Sequence, residues 1–176
     1  CDKFSKQAIQ LHFNKMMDLL YPLIKPYVHQ IQIGLEIDSW EVGMQNWTSG
    51  FEGEFCERTG YDLIKYLPAM TGKIVGSKEM TERFLWDIRR VQADLLADNY
   101  YGEFRNLCNQ YGLVSYCEPY DRGPMEELQI GSRVDGVMGE FWNGLSAIFQ
   151  NNLMMRRTTK LASSIAHING QKVVGA

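Results

Sequence analysis

Residues 31–38 read IQIGLEID and are followed at 39–50 by SWEVGMQNWTSG. The first stretch is short and β-branched, with polar residues before it, which predicts a strand. The second has no period and is rich in Gly, Asn and Trp, which predicts a loop carrying polar and aromatic groups. A strand that ends on an acid and opens into such a loop sets the pattern for the rest of the chain.

Upstream, Ile9, Phe13, Met16, Met17, Leu20 and Ile24 recur at helical spacing, with Ser5 as N-cap and Pro26 as stop. Downstream, residues 51–70 predict one or two short helices. Ser77 then caps the longest helix, which is expected to run to about Tyr111 with Phe84, Ile88, Val91 and Leu95 on its buried stripe. Gly112 suits the C′ position. LVSYC (113–117) predicts a second strand, a weak helix falls near Met125–Ile130, and Val137–Met138 predict a third strand. A last helix over about Leu153–Asn169 leads to KVVGA (172–176), the expected fourth strand.

Strands alternating with helices imply parallel strands joined by crossovers, an α/β architecture. A doubly wound sheet and part of a (β/α)₈ TIM barrel both fit. Neither G-x-G-x-x-G after the first strand nor G-x-x-x-x-G-K-[ST] occurs, so nucleotide-binding versions lose support. At 176 residues the chain is short for a whole barrel, which takes at least about 200. It begins without Met, reads CDKFSKQAIQ rather than a signal peptide, and ends on the start of a buried strand. Residues 1–176 are therefore expected to be a single segment of a larger catalytic barrel, completed by the rest of the same polypeptide.

Lys+Arg number 18 against 21 Asp+Glu, a net charge of −3 without a basic cluster, which argues against a nucleic-acid partner. No apolar run approaches the ~18 residues of a membrane span. Cys1, Cys56, Cys108 and Cys117 show neither C-x-x-C nor zinc-finger spacing and read as scattered reduced core thiols. His12, His29 and His167 follow no strand and read as surface or packing residues.

The chemistry concentrates after the strands. Asp38, Trp40, Glu41, Gln45, Asn46 and Trp47 follow the first; Glu118, Tyr120 and Asp121 the second; Glu140, Phe141, Trp142 and Asn143 the third. Carboxyl ends of parallel strands form the active face of α/β folds. Acids beside aromatics and amides there suit carbohydrate: rings stack on sugars, amides and carboxylates bind hydroxyls, and a carboxyl pair cleaves the glycosidic bond. Asn46-Trp47-Thr48 also matches a glycosylation sequon.

The blocks SWEVGMQNWT, RFLWDIRR, DNYYGEF, CEPYDRGP, MGEFW and KLASSIAHINGQKVV together resemble glycoside hydrolase family 106, the α-L-rhamnosidases. The resemblance implies a catalytic (β/α)₈ barrel, hydrolysis of terminal α-L-rhamnosides with inversion, a secreted or periplasmic bacterial protein, and calcium at the active site. It assigns Glu41 as general acid and Glu140 as base, with Glu118 in reserve as base or as a sugar or metal contact. It leaves the calcium ligands unassigned. Asp38, Trp40, Gln45, Asn46, Trp47, Glu118, Tyr120 and Trp142 are the expected substrate contacts. Inversion requires the two catalytic carboxyls to lie about 6.5–9.5 Å apart, against about 5–5.5 Å for retention. A barrel glycosidase of other sugar specificity and a non-catalytic sugar-binding relative are the alternatives.

Overall fold

The computed structural model describes residues 1–140, 153–172, 174 and 175. The expected site residues Phe141, Trp142 and Asn143 lie outside them. Helix α1 spans Lys6–Ile24, capped by Ser5, whose hydroxyl accepts from the Ala8 amide at 3.3 Å. Its Ile9, Phe13 and Met17 are buried, as their spacing requires.

Strand β1 (Gly34–Ile37) is followed by the irregular loop and by α2 (Phe51–Thr59). A 3₁₀ helix covers Ile64–Thr71, so the region 51–70 holds two helices of different kind. The long helix expected from Ser77 to Tyr111 forms as three pieces: α3 (Lys78–Leu95), a π-helical stretch (Leu96–Gly102) and α4 (Glu103–Gln110). Side-chain partners hold the wider winding. Asp98 accepts from Arg133 Nε at 3.0 Å, and Asn99 Nδ2 donates to the Phe4 carbonyl at 2.7 Å. Gly112, at φ +70°, closes the run as expected, and the Leu113 amide donates to the Cys108 carbonyl.

Strand β2 (Val114–Cys117), helix α5 (Glu127–Gly131), strand β3 (Gly136–Val137) and helix α6 (Leu153–Ile168) complete the order. The expected fourth strand is represented among the described residues by one parallel bridge between Met138 and Gly175. The sheet is parallel in the order β1-β2-β3. Each strand neighbours the next in sequence, so the reversal that marks a doubly wound sheet does not occur among the described strands.

Ile37, Cys117 and Val137 point to one side of the sheet and are buried in a core shared with Phe13, Leu95, Tyr101 and Phe104. Ser115 on that side is wholly buried, and its hydroxyl donates to Asp135 at 2.8 Å; Asp135 also accepts from Arg105 Nε at 2.7 Å. Cys108 and Cys117 are buried, whereas Cys1 and Cys56 are exposed, so only half of the thiols belong to the core; all four are free. The three histidines are exposed, as expected.

On the other side of the sheet, the Tyr116 ring lies flat between Gly34 and Gly136. A Cβ at Gly34 would stand 2.6 Å from Tyr116 Cε2, too close for any side chain. Gly34→Ala is therefore expected to cost about 1–3 kcal/mol by overpacking. In a double-mutant cycle followed by urea denaturation, pairing it with Tyr116→Ser should recover much of that loss. Additive losses would show that the ring does not impose the glycine.

Candidate functional site

The register that pairs Ile37 with Cys117 and Cys117 with Val137 brings three strands to an end at one level. The ladder continues one step further, with the Glu118 amide donating to the Ile37 carbonyl at 3.0 Å. Asp38 and Glu118 therefore leave β1 and β2 side by side, and the alternation of the pleat turns both away from the core side. Two residues past Met138, Glu140 arrives from β3. Thr158 of α6 fixes its backbone, accepting from the Glu140 amide and donating to its carbonyl, each at 3.2 Å.

Glu118 sits at the centre. It is 7% exposed, and its Oε2 is buried with no hydrogen-bond partner. Burial pushes its carboxyl up to about 7; the Asp38 and Glu140 carboxylates push the same way, while the Tyr120 hydroxyl pulls against them. Tyr120 is 4% exposed. Its hydroxyl bears on both Glu118 and Glu140 yet closes a hydrogen bond to neither, and burial followed by those two acids holds its proton tightly. Glu36 lies one alternation before Asp38 on the same face. Burial raises its carboxyl, and Asp38 adds to the rise.

The remaining expected residues take different places. Glu41 and Asp38 are exposed. Trp40 is buried at 4% exposure, with its amide donating to the Tyr120 carbonyl at 3.1 Å and Lys3 Nζ 5.0 Å from its ring centroid. Gln45 uses its amide within the fold: Nε2 donates to Asp2 at 2.5 Å and Oε1 accepts from the Lys3 amide at 3.1 Å. The Asn46 carbonyl accepts from Gln92 Nε2 at 3.1 Å, and the Trp47 ring packs on Phe51 with centroids 4.8 Å apart. Asp121 adopts φ +90°, a conformation that strains a residue bearing a Cβ.

The structure thus gathers Asp38, Glu118, Tyr120 and Glu140, with Trp40 tied to the Tyr120 backbone and Glu41 exposed in the same loop. Sequence reasoning missed Glu36, although the period-2 alternation in IQIGLEID carried the signal, since it sets Glu36 and Asp38 on one face. Carboxylate oxygens suit a hard cation such as calcium. Among the described residues, however, no three Asp, Glu, His or Cys side chains gather closely enough to enclose one.

Comparison with known proteins places the chain in a family. The glycoside hydrolase 106 family model, described as alpha-L-rhamnosidase, matches residues 1–176. A Formosa agariphila protein named "Putative beta-glucuronidase" is 43% identical over 175 residues, covering 99% of this chain and 14% of its own length. The solved structure of a rhamnosidase from Novosphingobium sp. PP1Y superposes with a TM-score of 0.79 at 31% identity, over 98% of this chain and 17% of that one. The chain belongs to glycoside hydrolase family 106 and spans a small part of the length of each of these relatives.

The raised Glu118 carboxyl sets a pH dependence of stability. Folded, it keeps its proton up to about 7, whereas an ordinary carboxyl releases it at 4.5. The folded chain therefore binds the extra proton between these values, and stability rises as pH falls through that window. In full-length protein, Glu118→Gln should melt higher than wild type at pH 8, and the difference should vanish near pH 5. A constant difference across that range would show that Glu118 ionises normally.

Proposed function

We propose that this member of family 106 supplies the active face of an inverting glycosidase that acts on terminal α-L-rhamnosides. Its three parallel strands form an arc of a (β/α)₈ barrel. The observation that carries the reading is the convergence of Asp38, Glu118 and Glu140 at three neighbouring strand ends, with one carboxyl desolvated. Barrel strands run in sequential parallel order and place their chemistry at that end.

A glycosidase needs one carboxyl that holds a proton near neutrality and one that is ionised. The family resemblance implies Glu41 as the acid, while burial favours Glu118. We take Glu118 as the proton donor to the leaving oxygen and Glu140 as the base that removes a proton from water on the opposite ring face. Glu41, exposed on the rim, is free to reach sugar hydroxyls, and Trp40 backs the ring. Calcium, which the family resemblance implies, would find carboxylate oxygens at these strand ends but no enclosing set among the described side chains.

The name of the Formosa relative raises a second glycone, a uronic acid. Asp38 and Glu140 put negative charge on the face that holds the protonated Glu118, which repels a sugar carboxylate. A neutral deoxy sugar meets no such penalty. Local charge therefore favours the rhamnoside.

Glu-to-Gln variants at positions 41, 118 and 140 of the full-length enzyme separate the roles. Glu140→Gln should lower kcat at least about 100-fold on every substrate. Glu118→Gln should do so on alkyl rhamnosides but much less on 2,4-dinitrophenyl rhamnoside, whose leaving group needs no proton. If Glu41→Gln shows that leaving-group dependence and Glu118→Gln does not, Glu41 is the acid. Release of the product with retained anomeric configuration by proton NMR would overturn inversion.

A further inference from the structure

Between α3 and the loops that follow β1 and β2 lies a groove of about 360 Å³. Met44 comes from the first loop, Pro124 and Glu126 from the second, and Trp86, Arg89 and Gln92 from α3. Asp38, Glu118 and Glu140 are not among its walls. The second loop also lies against the Trp40 ring, at Gly123, where a Cβ would stand 2.9 Å from Cγ. Trp40 in turn is tied to the Tyr120 carbonyl. The groove is thus joined to the candidate site through shared loops and is separate from its acids.

Trp86 is the anomaly on this surface. It is 64% exposed on a helix whose neighbouring positions are solvated. Arg83 reaches Glu79 at 2.6 Å, Lys78 reaches Glu82 at 3.6 Å and Arg90 reaches Asp94 at 3.2 Å, all of them i,i+4 pairs. A helix laced with such pairs faces water rather than another part of a protein. Arg89 departs from the pattern as well. It donates to the Leu85 carbonyl at 3.2 Å but meets no acid among the described residues, which leaves most of its N–H donors unpaired. Gln92, 6% exposed, is fixed in the wall by its bond to the Asn46 carbonyl at 3.1 Å.

We propose that this groove is a non-catalytic glycan site, which holds a neutral sugar unit of a polysaccharide stacked on Trp86. The inference rests on the glycosidase reading above, because a polymeric substrate gives such an enzyme a use for a hold away from its acids. The chemistry of the walls selects the class. A sugar ring offers an apolar face of C–H groups and a rim of hydroxyls. Trp86 presents a large flat ring to the first, while Arg89 can donate to hydroxyls and Glu126 can accept from them. A purely apolar partner would cover Arg89 and Glu126 without pairing them. Arg90 is neutralised by Asp94, and Arg89 and Glu126 are of opposite sign, so the groove has no net charge with which to select an anion. Its volume falls within the range of about 300–1,000 Å³ typical of small-ligand sites and suits a short stretch of chain.

The test uses full-length protein with Trp86→Ala, Trp86→Tyr and Arg89→Ala. A neutral linear α-L-rhamnan and phenyl α-L-rhamnoside are compared as substrates, and rhamnan binding is followed by affinity gel electrophoresis. Trp86→Ala is expected to weaken rhamnan binding about tenfold, the scale of truncating an aromatic anchor, while kcat/KM on phenyl rhamnoside stays at the wild-type value. Trp86→Tyr keeps an aromatic face and should retain most of the binding, and Arg89→Ala should weaken it severalfold. Rhamnan binding that is the same in wild type, Trp86→Ala and Arg89→Ala overturns the site. A Trp86→Ala protein that melts lower with rhamnan binding unchanged also overturns it, because Trp86 then packs on another part of the polypeptide. If wild type hydrolyses neither substrate but binds rhamnan in a Trp86-dependent way, the function reading fails while the glycan site stands.

Discussion

The register between β1 and β2 is the constraint on which the site depends. Pairing Ile37 with Cys117 settles which residues fall on each face of the sheet. A slip of one residue would send Cys117 outward and bury the next carboxylate among Phe104 and Leu95. The apolar faces of both strands exclude that slip, because each buries its side chains against the same helices. Asp38 and Glu118 are thereby forced into adjacency, a like-charge contact that neither would adopt in solution.

That adjacency carries an energetic cost and gives the site its chemistry. A carboxyl held at about 7 instead of 4.5 represents roughly 3 kcal/mol against the ionised form. The core has ample burial to offset this, since a fully buried Phe, Leu or Ile contributes about 1.5–3 kcal/mol, and Phe13, Phe51, Phe55, Phe84 and Leu95 are all wholly or almost wholly buried. The penalty falls on an acid at the strand ends, where a neutral carboxyl can donate a proton.

Much of this was legible in the sequence. Helical spacing located α1 and α3, short β-branched runs located β1 and β2, and the position of acids after strands located Asp38, Glu118 and Glu140. What it could not show was the outcome of tertiary competition. The long helix changes its winding at Leu96 because Asp98 and Asn99 answer to Arg133 and Phe4, partners distant in sequence. Gln45 and Trp47 look like ligand-facing groups in an irregular loop, yet their contacts run to Asp2, Lys3 and Phe51. Glu118 stood in reserve because burial, which sets it apart from Glu41, has no signature in a short loop motif.

The most direct measurement is the titration of the Glu118 side-chain carboxyl by carbon-13 NMR in full-length protein, assigned by comparison with Glu118→Gln. The account predicts a midpoint near 7, moving down in Asp38→Asn as the neighbouring charge is removed. A midpoint near 4.5 that ignores Asp38→Asn would contradict it, because the strand register would then not have brought the two acids together.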